Sequence, residues 1–190
     1  MVNEKAYVYK VCVVGDGGVG KTSLVRKSIN NTFSENYIMT IGSNFSVKSV
    51  ELPEYPNYNI TLSVWDLAGQ EHFKDVRSPF YKGAKAIIYV YDLTRISSFS
   101  NILNWKKEAE KVIGSTPSIL VGNKLDLIRP EEKRAKEEDI AQLMHELNTD
   151  TYFETSAKKG TNVETIFEEV TKKIINKSQE ITLNQYNKLR

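Results

Sequence analysis

Apolar residues along this chain fall into two alternating spacings. The runs Val11–Val14, Ala86–Tyr91 and Ile119–Val121 are short and continuously apolar, the signature of strands buried on both faces of a parallel sheet. Tyr7–Val14 predicts the first of them, and Thr22–Asn31 predicts a helix in which Leu24, Val25 and Ile29 share a face. Phe33–Thr40 carries neither period. Asn44–Leu52 and Tyr58–Asp66 predict two strands, joined by a loop whose Pro53 and Pro56 cannot donate to a ladder, so the pair reads as an antiparallel hairpin.

Farther on, Phe99, Ile102, Leu103, Ala109 and Val112 predict one helix, ended by Gly114 and Pro117. Ile140, Leu143, Met144 and Leu147 predict another, and Tyr152–Glu154 the last strand. Thr161 and Glu164 suggest a capping box opening a helix with Val163, Ile166, Phe167, Val170 and Ile174 inward. From about Asn176 the period dissolves, so one domain over residues 1–175 is expected, with 176–190 a tail or a helix extension. Strands alternating with helices predict an α/β fold: a six-stranded, mostly parallel sheet with one antiparallel strand and helices on both faces. Such sheets bind ligands beyond the carboxyl ends of their strands.

Composition narrows the class. At 190 residues, 40% apolar and 26% charged, the chain matches an ordinary globular domain. Its 26 basic and 24 acidic residues are dispersed, which leaves no nucleic-acid footprint. Cys12 is the one cysteine, in the first strand; no disulfide can form within the chain, and a reducing, cytoplasmic setting is expected. No run approaches the length of a membrane span, and Met1–Lys5 lacks a signal-peptide core.

The strongest chemical signal is Gly15 to Thr22, a G-x-x-x-x-G-K-T loop between the first strand and first helix. Gly15, Gly17, Gly18, Val19 and Gly20 would turn backbone N–H groups toward phosphate oxygens. Lys21 would reach the β and γ phosphates, and the Thr22 hydroxyl, followed by Ser23, would ligate Mg²⁺ at the helix N-terminus. Asp66, ending the third strand, is placed to hold that ion. Gly69 offers a backbone N–H to the γ phosphate, and Gln70 can orient a water for in-line attack. Thr40 has a hydroxyl free to reach Mg²⁺ when the γ phosphate is present.

Asn123-Lys124-Leu125-Asp126 follows the fifth strand. A carboxylate at Asp126 would accept both ring and exocyclic N–H groups of guanine, whereas adenine offers no such pair and would leave a charge unpaired. Asn123 would tie this loop to the phosphate loop, and the Lys124 stem would cover the purine. Thr155-Ser156-Ala157-Lys158 follows the sixth strand; the Ala157 N–H is expected on the guanine carbonyl and Lys158 stacked on the ring.

In this order and spacing the motifs resemble the Ras-like small GTPases, over about residues 7 to 175. Thr40 to Phe45, Trp65 to Phe73 and Tyr91 to Thr94 look most like Rab proteins. The resemblance implies the P-loop NTPase three-layer fold, GTP or GDP with Mg²⁺ as cofactors, and a monomer that meets exchange factors, activating proteins and effectors through two switch segments. It implies that Phe33 packs on guanine, that Tyr37 closes over the phosphates, and that Phe45, Trp65 and Phe80 form an aromatic cluster read by effectors.

Departures stand beside it. Asn44 replaces an acid, Leu67 replaces a threonine, Pro79 is expected to interrupt the second switch, and the hairpin loop is long. Rab proteins end in prenylated cysteines; this chain ends Tyr-Asn-Lys-Leu-Arg, and Val2 excludes myristoylation. The expectation is either a piece of a longer chain or an unlipidated relative that visits membranes only peripherally. Lys172, Lys173, Lys177, Lys188 and Arg190 are too dispersed for a polybasic anchor.

The mechanism expected is a switch: Gln70 orients water, Lys21 and the loop hold charge, and Thr40 and Gly69 sense the γ phosphate. Gly17 leaves room for Gln70, and neither the loop nor the first switch carries an internal arginine finger. Rival readings are a nucleotide-locked adaptor, against which Gln70 and Gly17 argue, and an ATP-dependent enzyme, against which Asn123 to Asp126 argue.

Overall fold

The computed structural model describes residues 5–34, 36, 38–129 and 135–188, with side chains as far as residue 180. Val2, Tyr37, the Lys188 side chain and Arg190 lie outside the described residues. The strands are β1 (Lys5–Val14), β2 (Ser43–Val50), β3 (Tyr58–Leu67), β4 (Ala86–Asp92), β5 (Ser118–Asn123) and β6 (Tyr152–Glu154). The helices are α1 (Lys21–Asn30), α2 (Lys74–Tyr81), α3 (Ile96–Ser100), α4 (Ile102–Ile113), α5 (Glu137–Leu147) and α6 (Val163–Lys188). They form one six-stranded sheet in the order β2-β3-β1-β4-β5-β6. Only β2 runs antiparallel, against β3 with Phe45 opposite Trp65, as the hairpin reading predicted.

Period two divides the central strands between two cores. Val11 and Val13 of β1 join Leu24 and Val25 of α1 and Ile166, Phe167 and Val170 of α6. Cys12 and Val14 face the other way, among Tyr81 of α2, Phe99 of α3, Trp105 of α4 and Leu143 of α5. Phe167 is 1% exposed; truncating such a side chain to alanine costs about 3–5 kcal/mol.

Four local expectations change. The single helix expected through Phe99 and Val112 is broken at Asn101, which separates α3 from α4. The break leaves the Asn101 side chain to bond Asp16 of the phosphate loop, at 2.6 Å. Pro79 lies inside α2 rather than interrupting it. The Thr161–Glu164 capping box gives way to other partners: Thr161 bridges Ser156, and Glu164 accepts from Lys48 at 2.7 Å. At the hairpin, Leu52 is buried but lies past the end of β2, its carbonyl accepting the Tyr55 N–H at 2.9 Å.

The parallel strands end at one edge of the sheet. β1 lies between β3 and β4, where the chain's connections leave in opposite directions, and the crevice of a doubly wound sheet opens there. Gly15 to Gly20 follows β1, Ala68 to Gln70 follows β3, Leu93 to Arg95 follows β4, and Lys124 to Leu127 follows β5.

Candidate nucleotide site

A cavity of about 400 Å³ opens at that edge, walled by the phosphate loop, residues 32–34, Thr40, Gly69, Gln70, Asn123, Lys124, Asp126, Ala157 and Lys158. Gly17, Gly18, Gly20, Lys21, Thr22, Ser23 and Phe33 line it, whereas Gly15, Val19 and Ser156 are buried and lie outside its lining. Gly20 has φ +97°, and a Cβ there would stand 2.3 Å from Nδ2 of Asn123. Only glycine satisfies both demands. Asn123 in turn donates to Val19 O at 2.9 Å, so the base loop is tied to the phosphate loop through one amide. Gly69 sits against the same loop: a Cβ there would lie 2.4 Å from the Asp16 carbonyl carbon.

Lys21 folds back over the loop, donating to Gly15 O at 2.7 Å and Asp16 O at 2.9 Å. Burial pushes its ammonium down to about 8, against the opposing pull of Asp66 and Asp16. Burial likewise raises the Asp66 carboxyl, with Lys21, Thr22 and Arg26 opposing. Each charge is therefore under-compensated in the site as it stands. A polyphosphate beside Lys21 and a divalent cation beside Asp66 would supply what both lack.

Three oxygens meet near Asp66. The Thr22 hydroxyl donates to Asp66 Oδ2 and lies 2.9 Å from the Thr40 hydroxyl. Asp66 Oδ1 is buried and has no hydrogen-bond partner. Two hydroxyls and one carboxylate are hard donors of the kind that fit Mg²⁺, an ion that keeps waters and phosphate oxygens for its remaining positions. Among the described residues no cluster of three or more His, Cys, Asp or Glu that could hold a metal ion is present.

At the base end, Asp126 accepts from the Ser156 hydroxyl at 2.5 Å. The Ala157 N–H, expected on guanine, donates to Asn123 Oδ1 at 3.2 Å, and the Thr155 hydroxyl approaches the same oxygen at 3.1 Å. Lys124 pairs with Asp92 at 2.7 Å. Burial pushes the Asp92 carboxyl up, but hydrogen bonds from Lys124 and Thr94 outweigh it and hold the group below its ordinary value.

A sequence model of the Ras family matches residues 10–176. The chain belongs to the Ras family. Its Rab-like character shows in its relatives. "Ras-related protein Rab-1" of Theileria parva is 40% identical over 178 residues, 93% of this chain and 78% of that protein. "GTP-binding protein YPT1" of Saccharomyces cerevisiae is 37% identical over 97% of this chain and 87% of its own length. "Ras-related protein Rab-13" of Canis lupus familiaris is 40% identical over 92% and 84%. This Ras-family chain is thus a Rab-like small GTPase with the P-loop NTPase fold, and GTP or GDP with Mg²⁺ are its family's cofactors.

Other site contacts carry no motif. Arg95 donates from Nη2 to Gly17 O at 2.8 Å, and Trp105 donates from Nε1 to Asp16 Oδ1 at 2.8 Å. Arg95 follows β4 at the ligand edge, so position alone could have flagged it. Trp105 and Asn101 read as ordinary helix residues, and nothing in the pattern singles them out. Phe45, Trp65 and Phe80 do form an aromatic row, with ring centroids 5.6 and 5.9 Å apart. No helix among the described residues is long and apolar enough to cross a membrane.

Proposed function

We propose that the chain is a GTP-hydrolysing molecular switch of membrane traffic, cycling between GTP and GDP and recruiting effectors through two segments that respond to the γ phosphate. The observation that carries this reading is the meeting of Thr22, Thr40 and Asp66 at one end of the cavity. Thr40 lies in an irregular segment with neither helix nor strand on its near side, so its position depends on what it bonds. Mg²⁺, held by the Thr22 and Thr40 hydroxyls with Asp66, would neutralise charge on the β and γ oxygens.

Gln70 holds the attacking water, whose oxygen bonds to the γ phosphorus while the bond to the β–γ bridging oxygen breaks and that oxygen leaves with the electron pair. The products are GDP and phosphate. Lys21 and the N–H of Gly69 stabilise charge on the γ phosphate. Loss of that phosphate removes the contacts of Thr40 and Gly69 together and releases both segments. Asp126 selects guanine, Asn123 fixes the base loop, the Ala157 N–H meets the guanine carbonyl, and Phe33, Lys124 and Lys158 cover the ring. The protein acts as a monomer in the cytoplasm, peripheral to membranes, and the row Phe45, Trp65 and Phe80 meets effectors. Exchange factors and activating proteins act on the same switches.

Single-turnover hydrolysis of GTP by purified protein tests the reading. Gln70→Leu is expected to slow phosphate release about tenfold or more while GTP affinity stays near that of the parent. Equal rates would remove Gln70 from the reaction, and no release from either protein would favour a nucleotide-locked adaptor.

A further inference from the structure

Arg77 of α2 is 1% exposed, a rare burial for a guanidinium. All its nitrogens are engaged. Nε and Nη2 donate to the two carboxylate oxygens of Glu108 on α4, at 2.7 and 2.6 Å, a bidentate pair. Nη1 donates to Ala68 O at 3.1 Å and Gln70 O at 3.0 Å. The guanidinium also lies 4.1 Å from the centre of the Trp105 ring, and the Tyr81 hydroxyl donates to Glu108 at 3.0 Å.

Two of those contacts are to the backbone on either side of Gly69. Trp105, which supports the guanidinium with its face, bonds Asp16 with its indole N–H. α4 therefore holds both sides of the reaction site: the phosphate loop through Trp105 and the Gln70 segment through Glu108 and Arg77. A point-charge lysine could not make this fork.

We propose that Arg77, clamped by Glu108, is a positioning residue for Gln70: it pins the Ala68 and Gln70 carbonyls to α4 so that the Gln70 side chain stands at a set distance from the phosphate loop. The inference rests on the hydrolytic reading above and adds the element that fixes its geometry. It acts through the backbone, without touching nucleotide.

Removing one member of a buried pair strands the other charge, so the informative variant is Arg77→Met with Glu108→Leu together. Single-turnover GTP hydrolysis is measured for the parent, this double variant, Gln70→Leu, and the triple combination, alongside GTP affinity and amide hydrogen exchange over residues 69–73. The double variant is expected to hydrolyse about tenfold more slowly, with affinity within about twofold of the parent, and to cause no further slowing in the Gln70→Leu background. Exchange at residues 69–73 is expected to rise. A rate equal to the parent, or the same fractional loss with Leu at position 70, would overturn the proposal, because a general structural role slows both backgrounds alike.

Should the double variant not fold, isosteric Glu108→Gln is expected to show the same dependence on Gln70 at smaller amplitude; equal losses in both backgrounds would again overturn it. A parent that does not hydrolyse GTP refutes the hydrolytic reading instead, and exchange at residues 69–73 still decides for or against the clamp.

Discussion

Gly17 faces Gln70 so closely that a Cβ built on the glycine would stand 3.5 Å from both Cγ and Nε2 of the glutamine. That separation is ordinary contact, so a single methyl group fits without displacement. The γ methyls of a larger side chain have to enter the space the amide occupies. Gly17→Ala is accordingly expected to hydrolyse GTP within a few-fold of the parent, and Gly17→Val about tenfold to a hundredfold more slowly. Single-turnover phosphate release checks this, with GTP affinity as the control. A valine variant at parental rate would mean that the observed Gln70 position is not the reactive one.

The layout was legible in the chain because two independent signals agreed. Continuous apolar runs gave β1, β4 and β5, and the motifs that follow each run fell at one sheet edge, which is where a doubly wound sheet must bind. What stayed illegible depends on tertiary contact. Asn101 breaks a helix whose apolar period runs through it, because its amide finds Asp16. Arg77 is a charged residue with no sequence neighbour to pair it inward, yet it is buried, because Glu108, thirty-one residues away, compensates it. Periodicity describes faces, and a buried ion pair between two helices leaves no period of its own.

Asp126 lines the cavity and takes a hydrogen bond from Ser156, which fixes one oxygen in a set direction. Asp126→Asn exchanges one acceptor for a donor toward the base. The variant is expected to lose about a hundredfold or more in GTP affinity and to bind xanthosine triphosphate better than GTP. Equilibrium competition between the two nucleotides measures the ratio; a retained guanine preference would remove Asp126 from base selection.

The Cys12 thiol is fully buried and donates to Phe80 O at 3.4 Å. Burial pushes it up to about 12, only partly offset by Lys10. In the unfolded chain a thiol ionises near ~8.5. Above that pH the unfolded state releases a proton that the folded state keeps, so stability falls as pH rises from ~8.5 toward the folded value. Two outcomes follow. At pH 8 the native thiol should react with a disulfide reagent only as fast as the protein unfolds. Cys12→Ser should change the alkaline limb of a urea-denaturation profile, because its hydroxyl does not titrate there.

Thr40 and Thr22 share a hydroxyl contact of 2.9 Å beside the unpartnered Asp66 Oδ1, yet their origins differ. Thr22 is in the first turn of α1, held by the phosphate loop whatever is bound, while Thr40 lies in an irregular segment. Removing the Thr22 hydroxyl should therefore weaken Mg²⁺ with either nucleotide, whereas removing that of Thr40 should matter only when the γ phosphate brings the first switch in. Dissociation of labelled GDP and of a non-hydrolysable GTP analogue, each with and without Mg²⁺, separates the two. Thr40→Ala is expected to speed analogue release several-fold in Mg²⁺ and leave GDP release unchanged. Thr22→Ala is expected to speed both, toward the rates seen with a chelator. Faster GDP release from Thr40→Ala would make Thr40 a constant ligand rather than the sensor, and the switch would then have to be read through Gly69 alone.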